Sequence, residues 1–294
     1  MEKYLEIIKN SYSSYWNYLK QSVLMDLNWE NYFYGLIIIS IVVWGLEAVF
    51  PWRKNQPLFR KDFWLDVFYM FFNFFLLNLI VLIALSNSAA EILNDILGLI
   101  GISISSFQLL EINKLPFAPR MLLFFIVVDF TQWWTHRLLH RFEFLWNFHK
   151  VHHSVKQMGF AAHLRYHWME PIIYNSLRYI PLAIIGGFSA QDVAFVHFFA
   201  ITIGHLNHAN VNLNYGFLKY ILNNPKMHIW HHAKELPEDR KYGVNFALTL
   251  SIWDYLFKTN YIPYSGKNIE IGFDDDEKFP KSFFKQGIYP LGKK

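Results

Sequence analysis

Apolar residues fall along this chain in long blocks, not in alternation. Residues 33–50 are apolar apart from Glu47, and residues 67–85 carry no charge. Each block approaches the ~20 helical residues that a hydrocarbon core requires. The stretch between them, residues 51–62, holds Arg53, Lys54, Arg60 and Lys61, which predicts a cytoplasmic loop. Residues 86–119 carry Glu91, Asp95 and Glu111 against Lys114 and are predicted on the opposite side. Their apolar run, 96–104, is too short to span. A third helix starts over residues 121–134, interrupted by Asp129, and returns the chain to the basic side at Arg137, Arg141, Lys150, Lys156 and Arg165. Residues 171–187 and 193–206 form a further apolar pair, broken by Gly186-Gly187 and Asp192. They predict a hairpin that enters and leaves the membrane on one face. Ahead of all this, residues 1–30 mix Glu2, Lys3, Glu6 and Lys9 with Tyr12, Tyr15, Trp16 and Tyr18. That mixture suits a helix at the membrane interface, and it lacks the pattern of a cleaved leader.

Composition strengthens this picture. Apolar residues make up 53% of the chain, aromatics 19% and charged residues 17%. A soluble domain is nearer one quarter charged. The predicted fold class is therefore all-α, an integral membrane helical bundle with a cytoplasmic histidine-rich helical cap. The net charge of +4, without a dense basic stripe, fits a membrane surface and not nucleic acid. The absence of cysteine excludes disulfides, thiolate metal sites, iron–sulfur clusters and cysteine nucleophiles. Residues after Thr259, with the acidic run Asp274–Glu277, are predicted to be a solvated tail over 260–294.

All 13 histidines lie between His136 and His232. His136-Arg-Leu-Leu-His140 has HxxxH spacing, and His149-Lys-Val-His152-His153 and His228-Ile-Trp-His231-His232 both have HxxHH spacing. On a helix, positions three or four apart share a face, so each cluster aims its imidazoles at one point. Neutral imidazole binds iron, zinc, copper and nickel. The three clusters exceed the four ligands of one tetrahedral ion, and two ions held mainly by nitrogen is the economical reading. His163, His197 and His205 are assigned to packing or hydrogen bonding. The zinc-protease motif HExxH and the nucleophile elbow GxSxG do not occur.

The order and surroundings of these clusters resemble the fatty acid hydroxylase/sterol desaturase superfamily over roughly residues 121–259. Asp129 ahead of His136-Arg137 is similar to the family's D…HRxxH stretch. The segment from Trp146 to Ser154 resembles W-x-F-H-x-x-H-H-S. Leu164-Arg-Tyr-His167 resembles its LRFHP element, with Trp168 in place of proline, and His208-Ala-Asn210 resembles its lone HAN histidine. Asn245, Trp253-Asp254, Phe257 and Thr259 resemble the closing N-Y…W-D-x-x-F-G-T, with Lys258 in place of glycine. The resemblance implies a membrane di-iron oxygenase domain at 121–259, preceded by an interfacial helix (1–30) and two membrane helices (31–120). It implies metal ligands His136, His140, His149, His152, His153, His208, His228, His231 and His232, with His167 as a tenth. Asp129, Glu170 and Asn245, together with Glu143, are candidates for supporting the ligands.

The implied cofactors are two non-haem iron ions, with dioxygen as co-substrate. The implied partners are a membrane lipid substrate and a separate electron donor, a ferredoxin, cytochrome or reductase, because no flavin, nicotinamide or haem motif is present. The closing segment looks closest to the alkylglycerol monooxygenase-like branch, which favours hydroxylation or ether-lipid cleavage. A pterin would belong to that branch, but no motif points to one. A sterol or fatty-acyl desaturase would use the same ligands. A zinc-stabilised membrane protein and a metal transporter are the non-oxygenase alternatives. Bacterial plasma membrane and endoplasmic reticulum both remain open.

Overall fold

The computed structural model describes residues 2–28, 31–108, 112–186 and 190–291; Glu111 and Gly187 lie outside them. Among the described residues the chain is helical, and strand-like pairing is limited to isolated bridges such as Pro51–Val211.

Helix α1 spans Glu2–Leu24 and α2 spans Tyr32–Val49. Asn31 caps α2 by accepting the Phe33 N–H at 2.8 Å. Glu47, the one charge in that apolar block, is buried at the far end of α2. Its Oε1 accepts the backbone N–H groups of Phe160 and Asn210 at 2.9 and 2.8 Å. It ties α2 to the loop just beyond His208.

Helix α3 runs without interruption over Phe63–Gly98. It includes two stretches of wider, π-type backbone, Phe72–Leu76 and Asn78–Leu82. At 36 residues it reaches about 54 Å, well beyond a ~30 Å hydrocarbon core. The apolar block at 67–85 thus understates the helix. Nothing between Phe63 and Leu97 breaks a helix, since Pro and Gly are both absent there. Glu91 and Asp95, expected beyond the second apolar block, lie on its last turns and both pair with Lys3 of α1 at 2.6 Å. Asn87 also donates to Ser11 Oγ. Polar contacts therefore fasten α1 along the distal half of α3.

Helix α4 spans Phe117–Arg141, α5 Glu143–His153, α6 Met169–Ile185, α7 Ala190–His208 and α8 Pro225–His231. Asn224 caps α8 by accepting two backbone N–H groups ahead of Pro225 at the first turn. The C-termini of α2, α4 and α7, the N-termini of α3 and α6, and the short helices α5 and α8 all meet at one end of the molecule. That end has its own core, including Trp52, Met158, Ile229, Trp230, Val244 and Ile271.

Two expectations change here. Arg60 is buried and bonds Asp66 Oδ2 at 2.5 Å, and Arg53 donates to the Met158 carbonyl. Half of the basic loop that argued for a cytoplasmic face thus serves folding. The segment after Thr259 is not a simple solvated tail. Phe273 and Phe279 are buried, Gln286 accepts the Tyr69 hydroxyl at 2.9 Å, and Asp276 pairs with Lys156. The acidic run alone could not reveal this, because Lys156 and Lys234, which Asp276 meets, come from other parts of the chain.

Candidate metal centre

Helix α4 carries His136 and His140 one turn apart on the face it turns to α5 and α8. α5 contributes His149, His152 and His153, and α8 with the residue after it contributes His228, His231 and His232. α7 ends on His208. These nine side chains form two groups: His136, His140, His149, His153 and His231; and His152, His208, His228 and His232. Within each group the available ring nitrogens lie within 4.8 Å of one another. Eight of the nine are buried. Burial pulls His149 down to about 3 and His152 to about 4, and lowers His153, His228, His231 and His232, aided by their neighbours. The imidazoles are therefore neutral near pH 7, the form that binds metal.

The hydrogen bonds define where the lone pairs point. His152 Nδ1 faces the Arg165 carbonyl at 3.0 Å and His208 Nδ1 faces the Gly204 carbonyl at 2.8 Å. A carbonyl only accepts, so each Nδ1 carries the hydrogen and each Nε2 presents a lone pair. Those two Nε2 atoms are 3.2 Å apart. In the other group, His136 Nδ1 donates to the Phe246 carbonyl at 2.7 Å and His149 Nδ1 to Glu170 Oε2 at 2.8 Å. Their Nε2 atoms are 3.0 Å apart. Facing lone pairs at this distance repel unless a cation lies between them. Two nitrogens about 2.1 Å from one ion and at right angles would be about 3 Å apart. The Nε2 atoms of His140, His153 and His231 are buried with no hydrogen-bond partner, which a metal would also answer. The residues present fit two metal ions.

His167 is the exception among the ten. Its Nε2 donates to the Gly287 carbonyl at 2.9 Å and its Nδ1 accepts the Met169 N–H at 3.1 Å. Both ring nitrogens are engaged, and the side chain belongs to neither group. Of the supporting candidates, Glu170 alone touches a clustered histidine. Asp129 instead accepts Trp253 Nε1 at 2.8 Å and the Leu250 N–H at 3.2 Å, holding the closing segment on α4. Asn245 donates to the Met227 and Tyr261 carbonyls. It acts on the cluster only through the segment it anchors. Glu143 is exposed at the start of α5.

The most informative supporting residue lies in the closing Trp253-Asp254 pair. Asp254 is fully buried and accepts Trp133 Nε1, the Phe246 and Ala247 N–H groups, and the Thr259 hydroxyl. It thereby fixes the strap 244–247, whose Val244 and Phe246 carbonyls orient His231 and His136. Lys258, where the family pattern has glycine, adopts φ 57°, which explains the glycine. Gly204 permits a close approach, since a side chain there would collide with the His163 ring. His163 stacks on His208 and meets His205 at 2.9 Å, and His205 in turn contacts Ser40. His197 pairs with the Tyr32 hydroxyl.

A cavity of about 730 Å³ opens onto the centre at His136, His149, His152 and His228 and extends between the helices to Tyr15 and Tyr18 of α1. Phe74, Phe75, Leu82, Phe124 and Val128 contribute its apolar wall.

Helices enclosing a two-group imidazole centre beside an apolar chamber define a candidate non-haem metalloenzyme. Comparison with known proteins is specific: residues 121–259 match the family model for fatty acid hydroxylase. An ornithine lipid hydroxylase of Rhizobium tropici is 33% identical over 184 residues, covering 62% of this chain and 53% of that protein. The alkylglycerol monooxygenase of Homo sapiens is 34% identical over 139 residues, 46% of this chain and 29% of that protein. A very-long-chain aldehyde decarbonylase of Oryza sativa subsp. japonica is 28% identical over 173 residues, 55% and 54% respectively. The chain spans about half or less of the length of these relatives. No solved structure matches it significantly.

Proposed function

We propose that the protein is a membrane di-iron oxygenase that hydroxylates, or oxidatively cleaves, a lipid. The observation that carries this reading is the pairing of bare Nε2 lone pairs, His136 with His149 and His152 with His208, inside a fatty acid hydroxylase domain. One ion would be held by His136, His140, His149, His153 and His231, the other by His152, His208, His228 and His232. Bound iron supplies dioxygen activation and the oxidation of an unactivated C–H bond. Glu170 and the carbonyls of Arg165, Gly204, Val244 and Phe246 hold the imidazoles in one tautomer and orientation. The apolar chamber wall keeps an aliphatic chain close and water away. Electrons come from a separate redox protein.

Embedding in a bilayer is supported by two helices long and apolar enough to cross it, α2 and α3. It is also supported by outward rows of exposed apolar side chains, including Ile38, Ile41 and Val42 on α2 and Trp64, Phe68 and Ile80 on α3.

Glu170→Gln is expected to weaken metal binding about 10- to 100-fold, as read by chelator competition. Unchanged affinity would leave Glu170 a packing role only. The reaction itself is tested with iron-loaded protein, a reductant, membrane lipids and heavy-isotope dioxygen. The expected product is a lipid carrying one labelled oxygen. An unlabelled alkene would support the desaturase reading instead, and a zinc-bound protein that stays inert after iron reconstitution would favour the structural-zinc reading.

A further inference from the structure

Among the described residues the chamber contains one permanent positive charge. Arg178 lies on α6 eight residues beyond Glu170, about 12 Å further along the helix axis and away from the histidine end. Among the described residues it is the only Lys or Arg in the cavity wall, and Glu170 is the only Asp or Glu. Glu170 is already engaged by His149 and by the His167 N–H. Among the described residues no carboxylate pairs with Arg178, and its Nε is buried without a hydrogen-bond partner. Tyr32, Tyr174 and His197 line the same part of the chamber. A guanidinium held among apolar helices without a counter-ion is costly, and a charge in that setting marks a functional site. Its planar fork suits a bidentate oxyanion.

We propose that Arg178 anchors an anionic group, a carboxylate or phosphate, on the aliphatic substrate, and that this sets which carbon reaches the metal centre. The inference rests on the reading of the cavity as the substrate chamber. With the oxyanion at Arg178, the alkyl chain runs along the wall formed by Phe74, Phe124 and Val128 toward His136 and His149. Distance from the anionic end, not the methyl end, then selects the carbon. Tyr174, in the same cavity wall, offers a hydroxyl to the remaining oxygens, while the Tyr32 hydroxyl pairs with His197.

The test measures binding without turnover. Iron-loaded protein in detergent, kept anaerobic, is equilibrated with radiolabelled palmitate, hexadecyl phosphate or hexadecanol. Wild type is expected to bind at least one anion at least about 10-fold more tightly than the alcohol. Whether palmitate or the phosphate gains more identifies the source of the oxyanion. Arg178→Met should abolish the preference while leaving hexadecanol binding unchanged, and Arg178→Lys should keep part of it. If Arg178→Met also loses hexadecanol binding, its fold has failed and Arg178→Lys decides: retained preference supports the anchor, and lost preference for either anion overturns it. Equal binding of all three probes by wild type also overturns it, as does a preference that persists in a folded Arg178→Met. None of these outcomes depends on oxygenase activity, so failure of that reading is separately visible in the labelled-dioxygen experiment.

Discussion

Alanine in place of His152 is expected to reduce bound iron from about two ions per chain to about one or fewer and to cut lipid oxidation more than about 100-fold. His152 is one of only four donors in its group, and its Nε2 is 3.2 Å from that of His208. Its ring also stacks on His149 of the other group, with centroids 5.2 Å apart. Loss of this imidazole removes a donor from one ion and a packing neighbour from the other ion's ligand. Metal analysis of detergent-purified protein after anaerobic iron loading measures the effect directly. His167→Ala is the sharpest control, because His167 resembles a ligand in sequence while its two nitrogens face Gly287 and Met169. That variant should retain both ions. Full metal content in His152→Ala, or equal losses in the two variants, would refute the two-group assignment.

Asp66→Ala is expected to destabilise the fold by about 3–5 kcal/mol, the scale for stripping one partner from a buried ionic network. Asp66 is fully buried between two guanidinium groups. Arg60 is 2.5 Å from Oδ2 and Arg165 is 3.1 Å from Oδ1. Alanine would leave two buried cations, with only the partly exposed Asp62 3.6 Å from Arg165 to compensate. The effect should extend to the centre, because the Arg165 carbonyl orients His152. A denaturant titration in detergent, with metal content measured alongside, tests both consequences. A loss below about 1 kcal/mol would mean that the pair behaves like an exposed ion pair.

Both variants concern residues whose importance had different visibility in the sequence. The histidines announce themselves through spacing: the i, i+3 and i, i+4 pattern puts several imidazoles on one face whatever surrounds the helix. Asp66 has no such signal. Its partners lie 6 and 99 positions away, and only the return of the chain after α5 brings Arg165 to the start of α3. Asp254 is intermediate. Its place in a Trp-Asp pair was legible, but that it accepts four hydrogen bonds and holds the Phe246 carbonyl against His136 was not. Asp129 is the reverse case. A carboxylate two turns before a ligand on the same helix is open to two readings, support for that ligand or a buried carboxylate satisfied elsewhere, and its oxygen faces Trp253 and Leu250.

Helix lengths separate in the same way. Apolar blocks located α2 and the middle of α3, because burial of apolar surface and backbone hydrogen bonding require a helix there. The distal half of α3 depended on Lys3 and Ser11 of α1, polar contacts that no local window contains. By itself the sequence determined an all-helical chain, the blocks able to cross a bilayer, the histidine clusters and the family resemblance that orders them. The tertiary structure decided which nine imidazoles meet, how they divide between two groups, why His167 stands apart, and where Arg178 lies in the chamber. The physical reason is range. Periodicity records what one helix does with its own neighbours, whereas lone-pair direction and charge compensation depend on carbonyls and carboxylates delivered by distant segments.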